Sequence, residues 1–354
     1  MIESTATTRR DDLLDRFRAG RRVALARAIS MVEDARPGFE GLLHDLHPLM
    51  GRAHRIGITG PPGAGKSTLT SKLALDYRKG DERVGIVAVD PSSPFTGGAL
   101  LGDRIRMNNI STDPGVFIRS MATRGALGGL ATTTKEVADL LDAYGFDRVV
   151  LETVGVGQSE LEIAGTADTS VVVLVPESGD SIQAMKAGLM EIADVFVINK
   201  ADRPGADRLA QELEVMLHMR LGDMPANAGH HGVSLKSVQK AAREGVQAVA
   251  AESGGWAIPV LKTVAQSGEG IEELARTLDR HRVYLEGSGE LSRRRQARLE
   301  ERVRAVVERR LQRLVWRRGR GEEILDASMA DLEAGRTSPY EVAERIVSEL
   351  GTPR

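Results

Sequence analysis

The 354-residue chain contains no cysteine. That excludes disulfides, iron–sulfur clusters and thiolate metal centres, and permits a reducing compartment without requiring one. Aromatic residues make up only 3% of the chain against 41% hydrophobic residues in all, so the core must be largely aliphatic. Net charge is also nearly absent: 48 basic and 50 acidic side chains leave −2, which gives no global attraction to nucleic acid or an anionic membrane. Long apolar runs are missing too. The longest aliphatic run, Val171 to Val175, is too short to span a bilayer. The start, MIESTATTRRDDLLDRF, has no signal-peptide apolar stretch, and its acids argue against a transit peptide, so a cytoplasmic location is expected.

What is present is a regular alternation. Residues 9–50 carry apolar side chains at helical spacing (Leu13, Leu14, Phe17, then Val23, Ala24, Ala28) and predict a helical extension over 1–50. From Arg55 short β-branched runs alternate with helical segments: RIGIT, RVGIVAVD, VFIRS, RVVLET, SVVVLV, VFVINK and IPVLKTVA. Continuously apolar strands separated by helices predict an α/β domain over 51–286 with a mostly parallel sheet buried on both faces. Helices are expected at 67–79, 128–143, 181–192, 205–221, 234–252 and 268–285. After Gly287-Ser-Gly289 the composition changes: residues 293–320 hold 12 arginines against Glu300, Glu301 and Glu308. Leu299, Val303, Val306, Val307, Leu311, Leu314 and Val315 fall on one helical face there, and a last amphipathic helix is expected near Pro339 to Leu350.

The segment GITGPPGAGKST follows the predicted strand RIGIT and precedes a predicted helix. Gly60, Pro61, Pro62, Gly63, Ala64, Gly65, Lys66 and Ser67, with Thr68 after them, match GxxxxGK[ST] in the context that its mechanism requires. Glycines let consecutive backbone N–H groups and a helix N-terminus close around phosphate oxygens. Lys66 is placed to reach the β- and γ-phosphates, and Ser67 to ligate magnesium. Three acids at strand ends or in the following loops, Asp90, Asp103 and Glu152, are candidate magnesium ligands. In Glu152-Thr-Val-Gly155 the acid suits the metal while the Gly155 amide can approach the γ-phosphate, and Gln158 is a candidate for orienting water.

Asn199-Lys200-Ala-Asp202 follows the apolar strand VFVI. A carboxylate at Asp202 can accept both N1–H and the exocyclic amine of guanine, a donor pair that adenine lacks, so GTP is expected over ATP. Lys200 is expected along the base and Asn199 as a tie to the phosphate loop. The turn Thr263-Val264-Ala265, after IPVLK, can offer a backbone N–H to the guanine O6.

Together with these motifs, the strings VAVDPSSPFTGGALLGDRIRM, ETVGVGQSE, PESGDSIQAMKAGLMEIADVFVINKAD and TVAQSGEG, in this order over about residues 40 to 290, resemble one group. This group is the MeaB/MMAA (ArgK-type) methylmalonyl-CoA-mutase-associated GTPases. The resemblance implies a Rossmann-like P-loop fold with N-terminal helices and a C-terminal helical dimerisation arm over 287–354. It implies that Asp90, Asp103 and Glu152 belong to the magnesium and switch region, and that Gly179 to Lys186 forms a mobile extra switch whose Asp180 and Lys186 relay nucleotide state. From the residues alone, Asp180 reads as a helix cap and Lys186 as a solvated helix residue.

The implied function is slow GTP hydrolysis coupled to protecting, reactivating or gating cofactor loading of an adenosylcobalamin-dependent acyl-CoA mutase, methylmalonyl-CoA mutase first among them. A homodimer and an adenosyltransferase partner go with it. No mutase domain is expected within these 354 residues, and the nearest string to a cobalamin-binding D-x-H-x-x-G, Asp279-Arg-His281-Arg-Val-Tyr284, lacks its glycine, so cobalamin is expected on the partner. Three rivals are weaker. A nucleic-acid stripe in the arginine-rich segment has only Trp316 for stacking. A nickel-delivery GTPase would need more than His230-His231. A kinase of a transport protein would transfer phosphate to protein rather than to water.

Overall fold

The computed structural model describes residues 2–90, 107, 110–122, 129–153, 165–176, 188–220, 255–318 and 320–349. Its contacts divide the chain into two compact units, Met1–Arg294 and Arg295–Arg354.

The first unit is built on a seven-stranded sheet of order β3-β2-β4-β1-β5-β6-β7. The strands are β1 His54–Thr59, β2 Val84–Asp90, β3 Val116–Ala122, β4 Arg148–Thr153, β5 Thr169–Leu174, β6 Val195–Asn199 and β7 Val260–Thr263. Every pairing is parallel. β1 lies between β4 and β5, so the loop that follows it emerges in the middle of the sheet. Each residue of β4, β5 and β6 is buried, as expected for strands covered on both faces.

One face carries α1 Ile2–Arg18, α2 Arg22–Glu33, α3 Phe39–Leu46 and α5 Gly129–Ala143, whose Phe17, Leu25, Ile29, Leu42 and Leu141 form one core with Val87, Val149 and Leu151. The N-terminal helices, expected as an extension separate from the α/β domain, share its hydrophobic core. α2 is also fastened to β3: Arg22 donates to the carbonyls of Pro114 and Val116, and Arg119 pairs with Glu33. The opposite face packs Leu69 and Leu73 of α4 Lys66–Lys79 and Leu274 and Leu278 of α7 Ile271–Gly287 against Ile56, Ile58, Val150 and Val171. α6 Ala206–Arg220 covers Val172, Phe196 and Ile198 at the far edge.

The helix expected from 268 begins only at Ile271. Gly268 and Gly270 have positive φ (+92° and +76°), and Val264 and Glu269 form a bridge that closes the turn before it. Of the helix expected at 181–192, residues 188–192 are described, with one α-helical turn at Met190–Ile192; that at 234–252 lies outside the described residues.

α8 Glu290–Arg313 crosses the boundary between the units, which falls after Arg294 rather than in the Gly287–Gly289 connection where the sequence suggested it. α8 buries none of its residues, and Leu299, Val303, Val307 and Leu311 on its apolar face are 48%, 63%, 49% and 49% exposed. α9 Gly321–Glu333 and α10 Pro339–Ser348 follow in the second unit. α10 starts with a Ser338 cap accepting from Glu341 N and a proline at its first position.

Candidate functional site

The site forms at the C-terminal ends of β1, β4, β6 and β7. The loop after β1 turns sharply: Gly60 has φ +137°, and a Cβ there would lie 2.0 Å from the Val173 carbonyl oxygen. Only glycine lets the loop leave the sheet so close to β5. Gly63 and Gly65 also have positive φ (+73° and +85°), and a Cβ on Gly65 would meet the Asn199 amide at 2.4 Å. Gly65 caps α4, so the first N–H groups of that helix face the loop's concavity. Pro61 and Ala64 are buried, while Pro62, Gly63 and Thr68 are exposed.

Lys66 is 6% exposed, and its ammonium donates to the carbonyls of Gly60 at 2.7 Å and Pro61 at 3.0 Å. It therefore stands across the mouth of the loop, held by groups that an anionic phosphate can replace. Ser67 donates from its hydroxyl to Glu152 Oε1 at 2.6 Å, with the two residues 8% and 1% exposed. This contact joins the start of α4 to the end of β4, because Glu152 pairs in register with Ile58 of β1 and Ala88 of β2. One residue on, the hydroxyls of Thr153 and Thr59 are hydrogen-bonded at 3.1 Å.

Two adjacent oxygen donors, a hydroxyl and a carboxylate, fit a hard cation such as magnesium. No cluster of three or more His, Asp or Glu able to hold a metal occurs among the described residues. Asp90 is the last residue of β2, at the same end of the sheet. Asp103, Gly155, Gln158, Asp180, Lys186 and the His230-His231 pair lie outside the described residues.

The base-side elements converge on Asn199. Its amide nitrogen donates to the Ala64 carbonyl at 2.8 Å, and its amide oxygen accepts from Ala265 N at 3.0 Å and from the Thr263 hydroxyl at 3.1 Å. One side chain, 2% exposed, thus links the phosphate loop to the turn after β7. Lys200 takes the left-handed backbone conformation (φ +57°) and donates to the Gly63 carbonyl at 2.8 Å, so its stem bridges the two loops. Asp202 is exposed in the following turn. The N–H groups of both Val264 and Ala265 are engaged, by Glu269 O and Asn199 Oδ1. Presenting the Ala265 N–H to a guanine O6 therefore means sharing it with, or taking it from, Asn199. The Thr263 hydroxyl is a member of the site that motif spacing does not reveal, since its partner lies 64 residues away.

Comparisons with known proteins agree with this geometry. The family model of the methylmalonyl-CoA-mutase-associated GTPase MeaB matches residues 25–320. A protein named as a probable GTPase of Mycobacterium tuberculosis is 36% identical over 95% of this chain and 94% of its own. The GTPase ArgK of Escherichia coli is 43% identical over 53% of this chain and 58% of its own. The mitochondrial methylmalonic aciduria type A homolog of the mouse is 37% identical over 68% of this chain and 52% of its own. Among solved structures, one described as a LAO/AO transport system kinase superposes with a TM-score of 0.63 at 25% identity, covering 97% of this chain and 98% of that one. With a phosphate loop, an acid bonded to its serine and an asparagine joining it to the base-side turn, the chain belongs to the MeaB family of methylmalonyl-CoA-mutase-associated GTPases.

Proposed function

We propose that this GTPase is a nucleotide-gated chaperone of an adenosylcobalamin-dependent acyl-CoA mutase, methylmalonyl-CoA mutase first, protecting the enzyme and gating its cofactor loading. The observation that carries the reading is the Ser67–Glu152 hydrogen bond. It ties the start of α4 to the end of β4, so any ligand that draws Ser67 or Glu152 to itself acts on both elements. The family match over 25–320 supplies the partner class.

In hydrolysis, water attacks the γ-phosphorus and the bond to the β-phosphate oxygen breaks, giving GDP and phosphate. The Lys66 ammonium and the loop amides stabilise charge on the transferring group. Ser67 and Glu152 would hold magnesium, with Asp90 and Asp103 as further candidates; the ion supplies positive charge against the phosphates. Gly155 senses the γ-phosphate, Gln158 orients water, and Asp180 and Lys186 pass the nucleotide state to the mutase. Asn199, Lys200, Asp202 and the Val264-Ala265 turn hold the guanine. The exposed apolar face of α8 forms a homodimer contact. Cobalamin stays on the mutase, and an adenosyltransferase supplies it.

The test is direct. The purified chain is mixed with an adenosylcobalamin-dependent methylmalonyl-CoA mutase under GDP, GTP or a non-hydrolysable GTP analogue. A complex whose stability depends on the nucleotide, with faster GTP hydrolysis inside it, is expected. Absence of a complex with every nucleotide overturns the proposal.

A further inference from the structure

The opposite end of the sheet holds a buried polar chain that nucleotide chemistry does not use. Arg148 Nη1 lies 3.0 Å from His54 Nδ1, His54 Nε2 lies 2.8 Å from the Thr169 hydroxyl, and that hydroxyl lies 2.8 Å from His281 Nδ1. His281 Nε2 then faces Asp194 Oδ1 at 3.4 Å, an electrostatic contact rather than a hydrogen bond. The five residues come from β4, β1, β5, α7 and the residue before β6.

The direction of the chain follows from what each group can do. Arginine only donates, so His54 Nδ1 accepts and its single proton sits on Nε2. Thr169 accepts that proton's hydrogen bond. If His281 also donated to Thr169, the threonine proton would have no acceptor among the described residues, and a histidine lone pair would face a carboxylate. Thr169 therefore donates to His281 Nδ1, and His281 carries its proton on Nε2, toward Asp194. Burial holds both imidazoles below their usual range, His54 at about 3 and His281 at about 4, so both are neutral as this direction demands.

Asp194 is where the chain meets the root of the arm. Arg294, in the second turn of α8, donates to Asp194 Oδ1 at 3.0 Å, to Asp194 Oδ2 at 3.1 Å and to the Asp168 carbonyl at 3.0 Å. Asp194 also accepts from Ser170 N, and its carbonyl accepts from the Trp256 indole, whose ring lies 4.6 Å from that of His281. One guanidinium thus grips the residues just before β5 and β6.

We propose that the one-way relay Arg148 → His54 → Thr169 → His281, whose last imidazole turns its Nε2–H toward Asp194 in an electrostatic contact, orients Asp194 to pin Arg294, so that the first turns of α8, Glu290 to Arg294, are held on the GTPase unit instead of pivoting about Gly287–Gly289. All of these are positioning residues. The pin stands whether or not the arm is a dimer contact, so a failure of dimerisation leaves it intact.

The first test is the ¹⁵N NMR signature of the two imidazoles in the full chain at neutral pH. Nε2–H tautomers at both His54 and His281 are expected; an Nδ1–H tautomer at either overturns the relay. The second uses the absence of native cysteine, which allows clean spin labelling at Arg208→Cys on α6 and Arg293→Cys on α8. Thr169→Val removes the hydroxyl at constant shape and Arg294→Met removes the grip, and each should broaden the label-to-label distance distribution by about twofold. Thr169→Ser should restore the narrow distribution. Unchanged distributions in both broken variants overturn the pin, and should Thr169→Val fail to fold, Arg294→Met and the tautomer signatures still decide.

Discussion

Both ends of this sheet bury polar groups and use them differently. At the C-terminal end, the cations Lys66 and Lys200 sit on backbone carbonyls of the phosphate loop, partners that a nucleotide can replace without leaving a charge buried alone. At the N-terminal end the two cations of the buried relay and its pin meet carboxylates: Arg148 meets Glu82 and Asp279, and Arg294 meets Asp194. Exchangeable partners make a site, whereas mutually satisfied charges make a fixture. The contrast predicts that substitutions at one end should remove activity with stability kept, and at the other remove stability first.

The largest effect is expected at the fixed end. Asp194→Ala takes from Arg294 its bidentate carboxylate, leaving Glu290 and the Asp168 carbonyl, and removes the acceptor of Ser170 N and the charge facing His281; it should cost about 3 kcal/mol of unfolding free energy by urea denaturation. A loss below about 1 kcal/mol would erase the distinction between the ends. Next, Lys66→Ala should lower kcat/KM for GTP by about 10²–10³-fold, the range for removing one group that stabilises transition-state charge, with an almost unchanged denaturation midpoint. A matching collapse in stability would make Lys66 a structural residue instead.

A smaller effect follows from pH. Above the ordinary histidine value of 6.5, His54 and His281 are neutral in both folded and unfolded chains. Below it the unfolded chain takes up protons while the folded chain resists until about 4 for His281 and about 3 for His54, so stability falls across that window. Arg148, Arg282 and Arg294 oppose protonation while Asp168 and Asp194 favour it, and burial outweighs them all. Between pH 7 and 5.5 the loss should be about 2 kcal/mol, and a flat stability profile there would contradict the neutral relay. The smallest expected change is Asp202→Asn, which should weaken GTP by about tenfold while leaving ATP binding where it was. Equal losses for both nucleotides would remove Asp202 from base recognition.

The sequence made one end far more legible than the other. GITGPPGAGKST and NKAD are local strings whose spacing reports their chemistry, and the seven apolar runs located all seven strands to within a few residues. The base relay is invisible in the same way that it is stable: His54, Arg148, Thr169, Asp194 and His281 lie far apart in the chain, and only strand order brings them together. The N-terminal helices were legible as helices but not as part of the core, because helical periodicity marks an apolar face without naming its partner. Within the helical arm expected over 287–354, α9 was not marked out as a separate helix, since its short acidic sequence has no long periodic signal.

Asn199 has one further consequence. Its amide spans the loop that would cradle the phosphates and the turn that would meet the base. Ligand fragments therefore should not report additively. Guanosine alone, or a bare triphosphate chain alone, would set only one side of that amide while leaving the other to its protein partner. The affinity of the whole nucleotide should then exceed what the two fragments' separate affinities suggest, by an amount that Asn199→Ala abolishes.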